Sequence, residues 1–212
     1  ILTAWNGLML KAYTDAYRVF SEPVFLDRAL ANAAFILKNL CVEGELLRQH
    51  KSPKADNNNN NAIKGFLDDY AFVIDGLISL YEVSFDEHWL LQAQNLADRA
   101  IADFYHYDNG LFNYLSKHAE PLIAGKQEIM DNVIPASNSA MAHNLSKLGR
   151  FFDRSDYTDI ATQQLRNVAP YVARYGSAYS NWASLLLNEV WGVFEIAIIG
   201  TDANDKRREL EQ

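Results

Sequence analysis

Two adjacent aspartates and a third one further along the chain have the residue types and spacing for acid–base chemistry. Asp68 and Asp69 are neighbours, and adjacent carboxylates raise each other's pKa, which suits one of them to act as a general acid. Only one of two neighbouring side chains caps a helix well, so the other is left to face a pocket. Asp131 precedes a later helix start, where we expect it to act as a further carboxylate. Helix capping alone is an equally good interpretation of Asp68, as it is of Ser137 and Ser180.

Aromatic, amide and hydroxyl side chains near these acids have the chemistry to hold a polyhydroxylated ligand. Aromatic faces stack on sugar rings, although Trp5 and Trp182 are also interpretable as core aromatics. Arg48 and His50 leave a predicted turn–strand unit and are expected to point to the same end of the molecule, with an exposed strand terminus as the simpler interpretation. The candidate binding residues are Trp5, Asn6, Arg48, His50, Tyr70, Asn138, Ser139 and Trp182.

An internal repeat of helix pairs positions these residues. The segments that begin at Tyr13, Leu77 and Leu145 correspond to one another at offsets of 64 and 68 residues. In every copy an aromatic residue is followed four positions later by alanine, as Phe25 is by Ala29. Four-residue spacing places side chains on one helical face, so each copy predicts two helices joined by a short polar link. The predicted links are residues 21–23, 84–87 and 153–156.

The first helices of the copies begin at equivalent positions, and these starts carry the candidate site. The offsets align Trp5 with Asp69 and Ser137, and a fourth start at Ser180 has no complete partner. The same offsets align three further residues, Asn6, Tyr70 and Asn138. In a closed array of helical hairpins such starts converge at one mouth. Unpaired N–H groups and partial positive charge there suit a polyhydroxylated or anionic ligand.

The connections between the helix pairs predict short strands and one loop. Gly turns at residues 43–48 and 109–114 are expected to form short β-hairpins after the second helix of a pair. An Asn run at residues 57–61 lies in a predicted surface loop over residues 51–64. Residues 193–200 predict a buried C-terminal strand, and a charged tail follows. We therefore expect a helical domain over residues 1–192 and a strand with a tail over residues 193–212.

Composition and charge exclude several classes of protein. The 212 residues are 49% hydrophobic and 22% charged, which excludes intrinsic disorder. The net charge of −8 argues against nucleic-acid and anionic-membrane partners. No apolar run approaches the ~20 residues that a membrane-spanning helix needs. The N-terminus has neither a basic start nor a sustained apolar region, so we expect no signal peptide and a cytoplasmic protein.

The cysteine and histidine residues give no support for a metal or cofactor site. Cys41 is the single cysteine, which rules out an internal disulfide and a cysteine-built zinc site. Apart from His50, the histidines share no metal-ligand spacing; they are His88, His106, His118 and His143. The sequence also has no Gly-rich phosphate loop and no nucleophile motif. We expect neither a metal nor a cofactor.

Four blocks of the sequence resemble a known family. Residues 1–9, 65–72, 80–82 and 131–139 are similar to the C-terminal region of the thioredoxin-domain-containing YyaL and spermatogenesis-associated protein 20 family. The blocks are spread over most of the chain in the expected order. One departure lies at residues 135–139, which read Pro-Ala-Ser-Asn-Ser where the family usually has Pro-Ser-Gly-Asn-Ser.

The resemblance implies an all-α fold of helical hairpins arranged as an (α/α)6 toroid, like six-hairpin glycosidases and N-acylglucosamine 2-epimerases. With about seven helices, we expect this toroid to be incomplete, with short β-hairpin loops and a C-terminal strand. The resemblance also implies a thioredoxin-like domain that is missing here. The residues that match the family blocks, as mouth-lining positions, are Trp5, Asn6, Asp68, Asp69, Tyr70, Asp131, Asn138 and Ser139.

These observations predict a domain of carbohydrate metabolism, of glycoside hydrolase or sugar isomerase type, that acts on a small molecule such as a sugar. Asp68 or Asp69 is the expected general acid or base, with Asp131 as the second carboxylate. The alternative is a non-catalytic substrate-binding or scaffold module that serves the missing thioredoxin-like domain. A third class, an open helical-repeat interaction protein, would expose an apolar groove instead of a funnel.

Overall fold

The repeat predicted from the sequence is present in a computed structural model as three helical hairpins followed by a further helix. The structure describes residues 1–50, 62–119 and 125–193, together with residues 196, 198–203, 205, 206 and 209. Seven α-helices lie within these described residues: α1 (Thr3–Phe20), α2 (Pro23–Asn39), α3 (Leu67–Ser84), α4 (Glu87–Phe104), α5 (Ser137–Phe151), α6 (Ser155–Val172) and α7 (Ser180–Trp191). The predicted fold class, an α/α helical-hairpin fold of about seven helices, is confirmed.

The polar links end one helix and start the next within a few residues. Ser21 and Phe85 take left-handed conformations after α1 and α3, with φ of 56° and 55°. Each donates its backbone N–H to a carbonyl four residues earlier, which closes the last helical turn. Pro23 begins α2 at a position where its missing N–H has no helical acceptor in any case. All three predicted links therefore join two helices.

The odd-numbered helices form an inner row, and each even-numbered helix packs outside its own partner. Along the inner row α1 contacts α3, α3 contacts α5, and α5 contacts α7. Gly7 allows the closest approach, because a Cβ at this position would lie 2.6 Å from the backbone carbon of Phe72. Helix α3 lies between two inner neighbours and its own outer helix, and most of its residues are buried. Since each hairpin returns the chain, the inner helices run parallel and start at one end.

Two short β-hairpins follow the outer helices α2 and α4, as the Gly turns predicted. In the first, β1 (Cys41–Val42) pairs antiparallel with β2 (Glu45–Leu46). In the second, β3 (Tyr105–His106) pairs antiparallel with β4 (Leu111–Phe112). Gly44 and Gly110 supply the left-handed turn conformations, with φ of 79° and 67°. Leu46 and Phe112, the last residues of β2 and β4, are fully buried, so each hairpin is anchored on the helical core.

The structure does not bear out two sequence-based expectations, and a third falls on residues outside the described ones. The buried C-terminal strand is not found among the described residues of 193–200, where Val193, Ile196 and Ile199 are exposed and in no strand; residues 194, 195 and 197 lie outside the described residues. The Asn run at 57–61 also lies outside them. Asp68, Ser137 and Ser180 are not N-caps, because each helix starts a residue or more earlier than a cap there requires. The cap residues are Phe66, Ala136 and Tyr179.

Candidate functional site

Asp69 joins the starts of α1 and α3. Its Oδ1 accepts the backbone N–H of Ala4 at 2.8 Å, and its Oδ2 accepts the N–H of Phe66 at 2.8 Å. Oδ2 also accepts a hydrogen bond from Arg48 Nη1 at 3.0 Å. With its side chain fully buried, Asp69 satisfies donors from two helix starts and one strand end. Asp69 is therefore the capping member of the acidic pair, at the third position of α3 rather than before it.

Asp68 is the more accessible member of the acidic pair. Arg48 Nη1 lies 2.7 Å from its Oδ1, so one guanidinium nitrogen contacts both carboxylates. The Asp68 side chain is 11% exposed, against 0% for Asp69. Two rings lie beside this group: Phe66 lies under the Arg48 guanidinium at 4.9 Å, and the Tyr114 ring lies 5.4 Å from that of Phe66, near Asp68. Arg48, which was expected to point to the same end of the molecule as the helix starts, contacts both members of the acidic pair.

Burial and charge at this cluster shift three pKa values. Burial, and then the charge of Asp68, raise the pKa of Asp69 to about 6, against the lowering effect of its hydrogen bonds with Phe66 and Arg48. Burial lowers the pKa of Arg48, but the two carboxylates outweigh this effect and the net shift is upward. Burial and the nearby Asp68 carboxylate raise the pKa of Tyr114. At neutral pH the cluster thus has one permanent cation between two carboxylates.

Asp131 does at α5 and α7 what Asp69 does at α1 and α3. Its Oδ1 accepts the N–H of Ala136 at 2.9 Å and the hydroxyl of Ser139 at 2.8 Å. Its Oδ2 accepts the N–H of Asn181 at 2.9 Å. A cavity of about 350 Å³ opens beside it, lined in part by Asp131, Pro135 and Asn181. Asp131 is therefore a carboxylate at a cavity wall, and it is held by neutral donors from two helix starts.

Tyr70 and Asn138 attach the β-hairpins to the inner helices. The Tyr70 hydroxyl accepts the N–H of Leu46 at 3.0 Å, and Asn138 Oδ1 accepts the N–H of Phe112 at 2.8 Å. Asn138 Nδ2 also donates to the carbonyl oxygens of Phe112 and Glu128. Tyr70 is 2% exposed and Asn138 fully buried. Ring stacking by Tyr70 and hydroxyl binding by Asn138 are not available in this structure, because these side chains hold Leu46 and Phe112.

The remaining candidates divide between buried and exposed positions. Trp182 is fully buried and its Nε1 donates to the carbonyl of Ile129 at 2.8 Å, so it offers no face to a ligand. Trp5 is 70% exposed and keeps a free ring face. Asn6 Nδ2 donates within α1 to the carbonyl of Leu2. The His50 ring packs edge-on against Phe35, at a ring distance of 5.6 Å.

Two residues of this region were not among the sequence-based candidates. Tyr114 lies near Asp68 in the loop after β4, and Asn181 bonds to both Asp131 and Ser139 from the start of α7. The sequence patterns already marked both positions, since Tyr114 ends the second Gly-turn block and Asn181 follows the fourth helix start. In the described part of the chain, no group of three or more His, Cys, Asp or Glu side chains is arranged to hold a metal ion. No helix there combines the length and apolarity needed to cross a membrane.

The arrangement of inner and outer helices defines the class of fold. A GH76 α-mannanase of Bacteroides thetaiotaomicron superposes with a TM-score of 0.67 at 14% identity, over 89% of this chain and 52% of that one. A family 105 glycoside hydrolase of C. acetobutylicum gives 0.64 at 13% identity, over 79% and 48%. Cellobiose 2-epimerase of Bacillus thermoamylovorans gives 0.57 at 15% identity, over 79% and 44%. The chain has the α/α toroid fold of these enzymes.

Comparison of sequences gives the family. Spermatogenesis-associated protein 20 of Homo sapiens is 34% identical over 167 residues, which are 75% of this chain and 21% of that protein. The Rattus norvegicus protein of the same name is 32% identical over 166 residues, again 75% and 21%. The chain thus spans about a fifth of the length of these relatives. It is homologous to a region of spermatogenesis-associated protein 20, which confirms the resemblance that its sequence blocks indicated. No protein-family profile matches the chain.

Proposed function

We propose that this chain is the carbohydrate-binding part of a toroid enzyme, with residues 1–192 as the toroid and residues 193–212 as a tail. One observation carries the proposal. A single Arg48 nitrogen holds two adjacent carboxylates at the starts of the inner helices, and only Asp68 of the pair has an exposed fraction. Catalytic side chains are typically held in position by buried partners of this kind.

Asp68 is the proposed acid–base residue. Its carboxylate is held by Arg48 at 2.7 Å and by the backbone N–H of Asp69 at 3.0 Å, while its small exposed fraction leaves it within reach of a ligand hydroxyl. Asp69 is a positioning residue, because its own oxygens are occupied by two backbone N–H groups and Arg48. Asp131, at the cavity beside α5 and α7, is the proposed second carboxylate. Trp5, with its free ring, is the proposed stacking group.

The ligand class rests on the chemistry of this end of the molecule and on the toroid enzymes of similar fold. Four parallel helix starts, three carboxylates and one guanidinium give the donors and acceptors that a polyhydroxylated molecule requires. The toroid enzymes compared above are named for mannan and cellobiose. A mono- or disaccharide is accordingly the proposed ligand.

A non-catalytic substrate-binding or scaffold module is the second candidate, and the state of Asp131 favours it. Among the described residues, the hydrogen bonds of this carboxylate come from neutral donors that start helices or brace them, as expected of a structural cap. In that case the toroid would present a ligand to a thioredoxin-like domain elsewhere in the full protein. The two candidates differ in whether a bound sugar is chemically changed.

Titration calorimetry with a panel of mono- and disaccharides tests the proposal, with ¹H NMR of the same mixtures to detect conversion. Wild type is compared with Asp68→Asn and with Asp27→Asn, a control at an exposed position of α2. We expect a sugar to bind wild type and the control, and Asp68→Asn to slow its conversion by about 10²–10⁴-fold. Binding without conversion supports the scaffold candidate. Failure of every sugar to bind wild type contradicts both carbohydrate candidates.

A further inference from the structure

The repeat offsets reveal layers of polar residues along the inner helices. Positions related by 64 and 68 residues on α1, α3 and α5 form an upper layer of Lys11, Asp75 and His143. One turn further from the helix starts, the middle layer consists of Asp15, Ser79 and Lys147. The lower layer consists of Arg18, Glu82 and Arg150. Spacings of four and three residues keep each set of three on one face of its helix.

Charges in the two deeper layers are matched by ion pairs. Glu82 on α3 bonds Arg18 of α1 at 2.7 Å and Lys147 of α5 at 3.0 Å. Arg18 also contacts Asp15 at 3.1 Å. Arg150 reaches Glu189 on α7 at 3.0 Å. The contacts of Glu82 and Arg150 cross from helix to helix, so the layers lie on a continuous face of the inner row, and the charges in the two deeper layers are paired within the protein.

The upper layer differs because its carboxylate has no partner. Asp75 is half-buried, and within the described part of the chain it makes no hydrogen bond and no ion pair. Lys11, in the same layer, contacts the middle layer: its Nζ lies 3.4 Å from the Ser79 hydroxyl oxygen and 3.5 Å from a carboxylate oxygen of Asp15. The Asp75 carboxylate oxygens are therefore available to a hydrogen-bond donor or cation supplied by a ligand.

His143 completes the layer as a neutral acceptor. Its Nε2 lies 2.8 Å from the carbonyl oxygen of Asn181, and a carbonyl oxygen only accepts, so Nε2 carries the hydrogen and Nδ1 keeps its lone pair. Burial lowers the pKa of His143, against the raising effects of Asp75 and Asp131, which keeps the ring uncharged at neutral pH. His143 therefore supplies no positive charge to Asp75.

We propose that this upper layer binds the ammonium group of an amino sugar, with Asp75 as its counter-ion. The inference rests on the proposed function and narrows its substrate class. Asp75 lies seven residues after Asp68 on the same face of α3, which is about 10 Å along the helix. A sugar ring bound at Asp68 extends along part of the distance from Asp68 to Asp75. Lys11 and Lys147, the lysines of the upper and middle layers, are already paired with Asp15 and Glu82, so neither is committed to Asp75.

Titration calorimetry with charge-matched sugars tests the inference on wild type, Asp75→Asn and the exposed control Asp27→Asn. The probes are glucosamine, mannosamine and galactosamine, their hydroxyl parents, and N-acetylglucosamine, in which acylation removes the positive charge. We expect an amino sugar to bind wild type about 10- to 100-fold more tightly than its parent, as for a hydrogen bond to a charged group. Asp75→Asn should abolish this preference and leave the affinity for the parent sugar unchanged. Matching circular dichroism spectra establish that the variant is folded.

The outcomes separate this inference from the proposed function. Equal affinity of amino and parent sugars for wild type overturns the inference and leaves the proposed function standing. A preference that persists in Asp75→Asn overturns it as well, since the ammonium group would then bind elsewhere. If no sugar binds at all, the proposed function fails and the inference fails with it.

Discussion

Replacement of Asp69 by asparagine removes the carboxylate that joins the starts of α1 and α3. The side chain keeps its size and one acceptor oxygen, but its NH₂ group then faces donors only. If the remaining oxygen takes the Oδ1 position, the Phe66 N–H and the Arg48 contact lose this acceptor; if it takes the Oδ2 position, the Ala4 N–H does. Arg48 keeps its bond to Asp68 in either case. Each loss costs about 1–3 kcal/mol. We expect Asp69→Asn to lower the free energy of unfolding at pH 7 by about 2–4 kcal/mol, and Tm by about 6–12 °C.

The pH dependence of this loss follows from the pKa of Asp69. Burial beside Asp68 raises this pKa from 3.8 to about 6, so the folded state binds the proton more tightly than the unfolded state. The stability contributed by protonation is fully present below the unfolded pKa and is lost as pH rises through the folded pKa. Asparagine does not titrate. The stability difference between wild type and variant should therefore grow by about 2 kcal/mol from pH 7.5 to pH 4.5.

Urea denaturation followed by circular dichroism at both pH values measures these differences. Asp27→Asn, at an exposed position of α2, is the matched control and should stay within about 0.5 kcal/mol of wild type. An Asp69→Asn variant as stable as wild type at pH 7.5 would refute the bonding role of the carboxylate. An equal loss at both pH values would refute the raised pKa.

Three further substitutions test the packing that positions the site. Gly7→Ala places a Cβ 2.6 Å from the backbone of Phe72, and it should cost about 1–3 kcal/mol in urea denaturation; an unchanged midpoint contradicts the close approach of α1 and α3. Asn138→Ala leaves buried groups of Phe112 unpaired, and a loss of about 2–4 kcal/mol is expected; a loss below about 0.5 kcal/mol excludes the anchoring role. Tyr70→Phe removes the acceptor of the Leu46 N–H, so hydrogen exchange at that amide should accelerate; unchanged exchange shows that the hairpin is held otherwise.

Periodicity was sufficient to predict the helical hairpins. The offsets of 64 and 68 residues fixed three pairs, and the links at 21–23, 84–87 and 153–156 coincide with the observed helix ends. Gly44 and Gly110 identified both β-hairpins, because a left-handed turn residue leaves a local signal. The C-terminal strand was expected on composition alone, without a pairing partner, and the described residues there are exposed.

The roles of the site residues were less predictable, since they depend on contacts between distant segments. The acidic pair and Arg48 were both candidates from the sequence. Which of the two aspartates is buried depends on the residue at which α3 begins, and helix boundaries are poorly defined by sequence. Tyr70, Asn138 and Trp182 are polar-tipped residues at helix starts, and such residues bind ligands or brace loops equally well. Only the structure shows that they brace loops, because their polar atoms are hydrogen-bonded to the backbone of Leu46, Phe112 and Ile129.

The proposed function requires that a sugar binds where the inner helices start, against Asp68. A crystal structure of the wild-type chain soaked with the tightest-binding sugar from the calorimetric panel tests it directly. We expect a sugar hydroxyl within hydrogen-bond distance of the Asp68 carboxylate, with the ring near Tyr114 or Trp5. A sugar bound on the outer helices, or a cluster of Arg48, Asp68 and Tyr114 that stays free of sugar at saturating concentration, would contradict it.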